Sequence, residues 1–371
     1  MSTAPASSVG DKVVAPLARL RGFHPGWFGA VMGTAIVGIV GYQNPGGIGS
    51  LQDLAHGLGV AFVAFSAILA IALGVPYVWR WMKHPDAARS DLANPVVGAL
   101  YGTFPGGILV LAVGIATVGP SLWSAETTAW LVAVLAVVGG ILAVAIGIVF
   151  AYLLFVTPAV GPESVNGGWF IPPVVTIIVG LVLLPLVPLV SEPDARLLIV
   201  IGYATWGMGF ALFVLVAALL YERLVFHPLP AAPLAPSLWI GIGPIGVGSL
   251  ALIRMAQAGT GLWGDAAAAV VAVSALAALM LWGFGLWWLG AALLLLRRYL
   301  RQGPLPYGLG WWAFTFPLGA YTAGTLTLAR YWHLEILEAS AAVLFVALLA
   351  FWLVVSLRTL DAVRSGQVWR R

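Results

Sequence analysis

Residues 311–324 read WWAFTFPLGAYTAG, a stretch that places one proline, two glycines and a Phe-Pro pair inside an apolar segment. Such residues weaken a membrane-spanning helix, because proline removes a backbone hydrogen bond and glycine adds backbone entropy in the unfolded chain. The same Thr-Phe-Pro-x-Gly unit begins at Thr103 and again at Thr315. A break that recurs at two places predicts a repeated architecture rather than a local defect.

The composition indicates an integral membrane protein. The chain has 371 residues, of which 61% are hydrophobic and only 8% are charged, so its apolar surface exceeds what a soluble core can hide. Apolar runs of about 20 residues, each long enough to cross the hydrocarbon of a bilayer, recur along the chain. They predict ten spans near 25–42, 55–79, 94–118, 124–157, 170–190, 196–222, 237–257, 266–296, 311–329 and 336–360.

The positive-inside rule gives an orientation for these spans. With both ends of the chain in the cytoplasm, 14 of the 17 lysines and arginines lie on the cytoplasmic side, and only Arg196, Arg254 and Arg330 lie opposite. We therefore expect a multi-pass protein of a bacterial inner membrane. The expected layout is a cytoplasmic tail over 1–22, a ten-helix domain over 23–365 and a second cytoplasmic tail over 366–371. The basic net charge follows from this bias in the loops, so nucleic-acid binding is not expected.

Odd-numbered and even-numbered spans differ in composition. The even spans are long and uninterrupted, as in AWLVAVLAVVGGILAVAIGIVFAYLLF, and are typical of lipid-facing helices. The odd spans carry prolines, which we expect to kink them. Because a kink frees a carbonyl that lipid does not tolerate, the odd spans are predicted to line an interior. The result is an all-α fold of five helical hairpins, with odd helices around a central pore and even helices outside. The kink prolines are Pro25, Pro105, Pro172, Pro173, Pro244 and Pro317.

Each odd span also carries a hydroxyl near its middle. A ring of hydroxyl groups offers hydrogen-bond donors to a partly dehydrated ion, although Ser and Thr also serve as packing residues that bond to the preceding turn. We predict that the following residues line the pore: Gly33, Thr34, Thr103, Thr176, Ser249 and Thr315.

Charges are absent from the interior of the spans, which argues against a proton relay and against a cation path with an acidic ring. Arg254 and Arg330 close the ends of spans seven and nine, where they either attract anions to a mouth or anchor the helices at the interface. The five histidines form no pair at metal or haem spacing, and no nucleophile or phosphate-loop motif occurs. The chain has no cysteine, so thiolate chemistry and Cys-ligated metals are excluded. We expect no catalytic residues, no metal and no cofactor.

Three motifs resemble one transporter family. HPGWFGAVMGTAIVG, NGGWFIPP and WWAFTFPLGA look like the corresponding segments of the tellurite-resistance/dicarboxylate transporter (TDT) family. That family includes malate permeases, sulfite exporters, TehA-type proteins and plant slow-type (SLAC-type) anion channels. The resemblance implies a homotrimer with a separate pore in each subunit. It also implies a pore plugged by an aromatic residue in span nine, here Phe316. Phe104 has the matching place in span three and is the second candidate gate residue.

These observations predict a membrane anion channel or channel-like transporter that is not an enzyme. C4-dicarboxylates such as malate are the first substrate class, and small inorganic anions such as sulfite, nitrate and chloride are the second. An intramembrane enzyme or a structural scaffold is the rival interpretation, disfavoured by the lack of a catalytic cluster. Besides the transported anion, we expect only membrane lipid and further copies of the chain as partners.

Overall fold

The computed structural model describes residues 16–158 and 160–369. The predicted tails therefore lie partly outside the described residues, at 1–15 and 370–371. The described part is entirely helical, with twelve α-helices: α1 (Pro16–Arg21), α2 (Phe28–Tyr42), α3 (Gln52–Lys83), α4 (Pro85–Ala93), α5 (Thr103–Val118), α6 (Ala125–Val156), α7 (Ile171–Leu183), α8 (Glu192–Phe226), α9 (Ile242–Ala258), α10 (Ala267–Gln302), α11 (Phe316–Trp332) and α12 (Glu335–Arg364).

Within these described residues, nine helical segments are long and apolar enough to cross a membrane. The ninth predicted span is not among them, because it is interrupted at Thr315 into a short 3₁₀ segment, Leu309–Phe314, and the 17-residue helix α11. All residues of α11 from Phe316 to Ala329 are buried. The protein is thus an all-α, multi-pass membrane protein, and the count of ten spans remains a prediction at this one position.

Five helices form a closed inner ring, in which each helix packs against the next: α2 on α5, α5 on α7, α7 on α9, α9 on α11, and α11 back on α2. We call these the inner helices. Each inner helix is followed by a long helix that packs on it and on the next inner helix of the ring, with α12 packing on α11 and on α2. We call this second set the outer helices: α3, α6, α8, α10 and α12. Because every hairpin pairs one inner with one outer helix, all five inner helices run in the same direction.

Every inner helix is preceded by a 3₁₀ segment. The five segments are Pro25–Trp27, Gly98–Gly102, Gly167–Phe170, Ala232–Gly241 and Leu309–Phe314. A tighter 3₁₀ stretch before an α-helix is a common way to change direction without losing backbone hydrogen bonds. Each odd span is therefore divided, as the sequence predicts. The division is a change of helix type, from 3₁₀ to α.

The prolines have a different role from the predicted one. Pro105, Pro172, Pro173, Pro244 and Pro317 all lie within the first three residues of their α-helices, and Pro25 begins its 3₁₀ segment. In the first turn, a backbone N–H has no partner within the helix, so proline costs no hydrogen bond there. These prolines mark helix starts, and the expectation that they kink helix interiors and free carbonyls is not matched by their positions.

A buried arginine anchors the segment at 80–93, between the second and third predicted spans. Arg80 is almost fully buried at the end of α3, and its guanidinium lies 2.6 Å from the carboxylate of Asp91 in α4. It also donates to the hydroxyl of Tyr101 (3.0 Å) and to the carbonyl of Arg21 (3.0 Å). A buried arginine needs such a full set of acceptors. Arg80 therefore ties three segments at this end of the molecule together, in addition to contributing a loop charge.

Candidate functional site

Two cavities lie at opposite ends of the inner ring. The first, of about 270 Å³, is lined by the beginnings of all five inner spans, including Met32, Thr103, Val174, Ile240 and Phe316. The second, of about 530 Å³, is lined by the later parts of α2, α5, α7 and α9. Because the inner helices run in parallel, the two cavities face opposite ends of the ring axis. We call them the N-side cavity and the C-side cavity.

A closed layer separates the two cavities. Along α2 the linings are seven positions apart, from Met32 to Ile39, and the same interval separates Val174 from Leu181 on α7. At 1.5 Å per residue this interval corresponds to about 10 Å of helix. Every residue over 33–38 and 175–180 is buried. The ring is therefore closed by packed side chains over a short distance.

Among the described residues, the lining of the N-side cavity contains no lysine, arginine or carboxylate side chain. The indole N–H of Trp312 has no hydrogen-bond partner there, whereas other polar groups of the lining are engaged in local bonds. Asn166 accepts from the N–H of Gly168 (2.8 Å), and Ser237 donates to the carbonyl of Leu234 (2.7 Å). The hydroxyl of Thr103 lies within 2.7 Å of the Leu100 carbonyl oxygen. This end of the axis is thus neutral and mostly apolar.

Phe316 and Phe104 occupy different environments despite their identical Thr-Phe-Pro contexts. Phe316 is the first residue of α11 and lines the N-side cavity together with Pro317. The ring of Phe104 instead stacks on Tyr77 of the outer helix α3 at 4.4 Å and packs edge-on against Phe28 at 4.8 Å. Phe104 lines neither of the two axial cavities. Of the two candidate gate residues, only Phe316 lies where an ion entering the N-side cavity meets it.

The predicted hydroxyl ring is mostly bonded to the protein itself. The hydroxyl of Thr34 accepts from the indole N–H of Trp352 in α12, at 3.1 Å. Thr176 donates to the Pro172 carbonyl at 2.9 Å, and Thr315 donates to the Trp312 carbonyl at 2.7 Å. Among these predicted pore-lining residues, only Thr103 belongs to the described lining of either axial cavity.

Two further predicted pore-lining residues serve packing. Gly33 permits close approach of α2 to α11, since a Cβ at this position would lie 2.2 Å from the Thr315 hydroxyl. Ser249 is fully buried, and its hydroxyl has no partner among the described residues. The alternative to pore lining is packing and hydrogen bonding within the protein. This alternative fits the observed contacts of Gly33, Thr34, Thr176 and Thr315.

The C-side cavity contains an exposed arginine. Arg254 lines it together with the polar side chains of Gln43, Thr117 and Gln257. No carboxylate lies within ion-pair distance of Arg254 in the part of the chain that the structure describes. The deeper lining is apolar and consists of Ile39, Val113, Leu181 and Leu250. The described lining of the C-side cavity therefore carries one positive charge and no acidic side chain.

Arg330, the second predicted mouth residue, is paired. Its guanidinium donates to the carbonyl oxygen of Gln43 at 2.7 Å and lies 3.2 Å from the carboxylate of Glu338. That carboxylate also accepts from the N–H of Gly46 at 3.2 Å. A cation on the last carbonyls of a helix is a favourable C-terminal cap. Arg330 thus fastens the end of α2 to α11 and α12.

The sequence did not identify several lining residues. Trp312 lines the N-side cavity and packs against α2, where a Cβ at Gly29 would lie 3.0 Å from the Trp312 Cβ. Gln257 follows Arg254 by three residues, a spacing that places both on one helix face and could have signalled the C-side cavity. Gln43 and Asn166 lie outside the α-helices and gave no such signal. Among the described residues, no cluster of three or more histidine or acidic side chains could hold a metal.

A closed ring of buried helices with a cavity at each end, inside a belt of apolar helices, defines a membrane transport protein. The sequence profile of the voltage-dependent anion channel family (SLAC1) matches residues 22–360. The chain belongs to this family, as the resemblance of its motifs implied. It is accordingly an anion transporter or channel.

The relatives found by sequence comparison are consistent with this assignment. An uncharacterized transporter of Methanocaldococcus jannaschii is 31% identical over 95% of this chain and 96% of its own length. A sulfite efflux pump of Trichophyton rubrum is 27% identical over 91% of this chain and 89% of its own. A malic acid transport protein of Schizosaccharomyces pombe is 22% identical over 84% and 72%, respectively.

Proposed function

We propose that anions cross the membrane along the axis of the inner ring, from one cavity to the other, and that Phe316 closes this path. The observation that carries the proposal is the position of Phe316 at the inner boundary of the N-side cavity, next to a buried layer only about 10 Å thick. A phenyl ring blocks ions both sterically and by excluding water. Displacing one side chain is a smaller change than rearranging five helices.

The charges along the axis support anions over cations. The five inner helices contain no acidic residue, and their two charged residues are both arginines, Arg254 and Arg330. A cation passing through the ring would meet no carboxylate to replace its hydration shell. An anion meets the free guanidinium of Arg254 in the C-side cavity.

Sulfite and C4-dicarboxylates such as malate are the two substrate candidates. The sequence analysis placed dicarboxylates first, but the sulfite efflux pump matches more of this chain, at higher identity, than the malic acid transport protein. We therefore place sulfite first, and malate second.

The orientation and the assembly remain part of the proposal. The lysine and arginine bias supports cytoplasmic termini in a bacterial inner membrane, which would open the N-side cavity to the cytoplasm and the C-side cavity to the outside. The homotrimer rests on the family resemblance. The domain limits at 22 and 365 rest on the hydropathy pattern. No catalytic step is proposed.

The test is a comparison of fluxes in proteoliposomes. Purified protein is reconstituted, and the uptake of sulfite, malate, nitrate and chloride is measured side by side with that of sodium and potassium. We expect uptake of at least one oxyanion well above protein-free vesicles and no cation uptake. Sodium or potassium uptake exceeding that of all four anions would refute the proposal.

A further inference from the structure

We infer that the C-side cavity holds an oxyanion-binding subsite built on Arg254. The inference deepens the proposed function and rests on it, since it concerns the same path. It assigns a ligand-binding property to one cavity, which the closed ring alone does not imply.

Arg254 is isolated on its helix. In α9 the flanking residues Ala251, Leu252, Ile253, Met255 and Ala256 are all buried, whereas Arg254 itself is exposed. An arginine placed only for anchoring would find a carboxylate or a carbonyl, as Arg330 does with Glu338 and Gln43. Arg254 has neither among the described residues and faces the cavity instead.

The neighbours of Arg254 suit an oxyanion. Gln257 is exposed one turn further along α9, and Gln43, whose side-chain amide also donates to the Ile39 carbonyl at 3.2 Å, lines the same cavity. Guanidinium and amide groups are hydrogen-bond donors, and the planar fork of arginine matches two oxygens of one anion. The apolar floor below lowers the local dielectric and strengthens this attraction. A carboxylate, sulfite or nitrate fits this donor set better than a spherical halide, which cannot use the fork.

The charge of Arg254 acts within the C-side cavity. The described lining of this cavity contains no acidic side chain, so nothing in it offsets the charge of Arg254. A single charge in a narrow mouth raises the local concentration of counter-ions by roughly three- to tenfold at low salt. Anion binding in this cavity should therefore be several-fold tighter with Arg254 than without it, and this difference should shrink as salt screens the charge.

The experiment uses the absence of cysteine from the chain. In Arg254→Cys, a membrane-impermeant thiol reagent should react from one face of the vesicle only, and this reaction identifies the C-side independently of transport. Oriented vesicles then report the half-saturating sulfite concentration for uptake from the C-side at low salt. We expect this concentration to be about threefold or more higher in Arg254→Cys and in Arg254→Gln than in the unchanged protein.

Chemical modification of the same cysteine separates charge from structure. A positively charged thiol reagent should lower the half-saturating concentration of Arg254→Cys toward that of the unchanged protein, and a negatively charged reagent should raise it further. Arg254→Lys should keep the half-saturating concentration for chloride but lose several-fold in the preference for sulfite over chloride, because lysine lacks the fork. Retention of that preference in Arg254→Lys would overturn the oxyanion part of the inference.

The matched control is Arg196→Gln. Arg196 lies at the same end of the molecule on the outer helix α8, paired with Glu192 at 2.6 Å and absent from the C-side cavity. Its removal should leave the half-saturating concentration unchanged. Equal half-saturating concentrations in the unchanged protein and in Arg254→Gln, or equal effects of Arg196→Gln and Arg254→Gln, would overturn the inference while leaving the proposed function intact. A lack of anion flux in every variant would instead overturn the proposed function.

Discussion

The inner and outer helices overlap in hydropathy but are built for different surroundings. In the most apolar windows of four inner spans, 72 to 94% of the residues are buried within the molecule, compared with 17 to 28% in the outer helices. The mean hydropathy of the two sets overlaps, at 1.3 to 2.6 for the inner and 2.0 to 2.9 for the outer spans. Hydropathy therefore shows only that a segment lies outside water, and not whether it faces other helices or the outside of the molecule. The difference lies in side-chain size, since small residues allow inner helices to touch one another.

The largest difference between inner and outer helices is expected when a single methyl group is added to the inner ring. In Gly246→Ala, the new Cβ would lie 2.4 Å from the backbone nitrogen of Tyr321, so α9 and α11 must move apart. Overpacking of this kind costs roughly 1–3 kcal/mol, and contact with rigid backbone places Gly246 at the upper end. Heating detergent-solubilised protein and measuring the remaining folded fraction by size-exclusion chromatography gives the effect.

The control for this prediction lies on the outer ring. Gly290 of α10 is exposed, and a Cβ there would have no neighbour within 4 Å. Gly290→Ala should be neutral or slightly stabilising, because alanine is the better helix former. Equal loss of folded protein from both variants would show that the inner ring is not more tightly packed than the outer one.

The next largest effect concerns the two phenylalanines of the repeated unit. Phe316→Ala should raise anion flux by roughly tenfold or more, because it removes the ring at the N-side cavity while Pro317 still starts α11. Phe104→Ala should not raise flux. It should lower stability by about 3 kcal/mol or more, because it empties the contact with Tyr77 and Phe28.

Recording anion currents from both alanine variants, normalised to the amount of folded protein, decides between gate and packing. A well-folded Phe316→Ala without increased conductance would remove the gate assignment. A larger gain in anion current for Phe104→Ala than for Phe316→Ala would assign the gate to the third span. It would also contradict the roles inferred from the different environments of the two rings.

A smaller effect is expected from the charged pair at the end of α2. Arg330→Gln should lower stability by about 1 kcal/mol, because the Gln43 carbonyl and the Glu338 carboxylate both lose their donor at a half-exposed site. On the outer ring, Arg196→Gln removes a fully solvated i,i+4 pair and should cost no more than about 0.5 kcal/mol. Thermal unfolding of both variants at low and high salt checks the difference, and an equal loss would contradict the clamp role of Arg330.

The smallest predicted effect is selectivity among anions. The N-side cavity carries no fixed charge, so ions should be ranked there mainly by how easily they lose water, with nitrate ahead of chloride by about two- to fourfold. Reversal potentials of the Phe316→Ala variant under mixed anion conditions measure this ratio. Chloride ahead of nitrate would indicate a specific site in the inner ring and would weaken the view of a neutral path.

Much of the architecture could be predicted from local sequence. The spans at 124–157 and 196–222, for example, correspond to Ala125–Val156 and Glu192–Phe226. Helix α4, however, was missed, because its sequence PDAARSDLA has no apolar periodicity and is held by the buried Arg80–Asp91 pair. The prolines located the helix junctions correctly, but the sequence does not show whether a proline lies in a first turn or in a helix interior.

The sequence by itself determined that the chain is a membrane protein with alternating broken and uninterrupted spans, because bilayer thickness and backbone chemistry act on each segment separately. Only the tertiary structure decided which of two identical Thr-Phe-Pro units faces a cavity and which of two arginines stays unpaired. Phe104 meets Tyr77, and Arg330 meets Glu338, through contacts between helices far apart in sequence. Such contacts depend on how the rings close, and no local pattern in the chain specifies them.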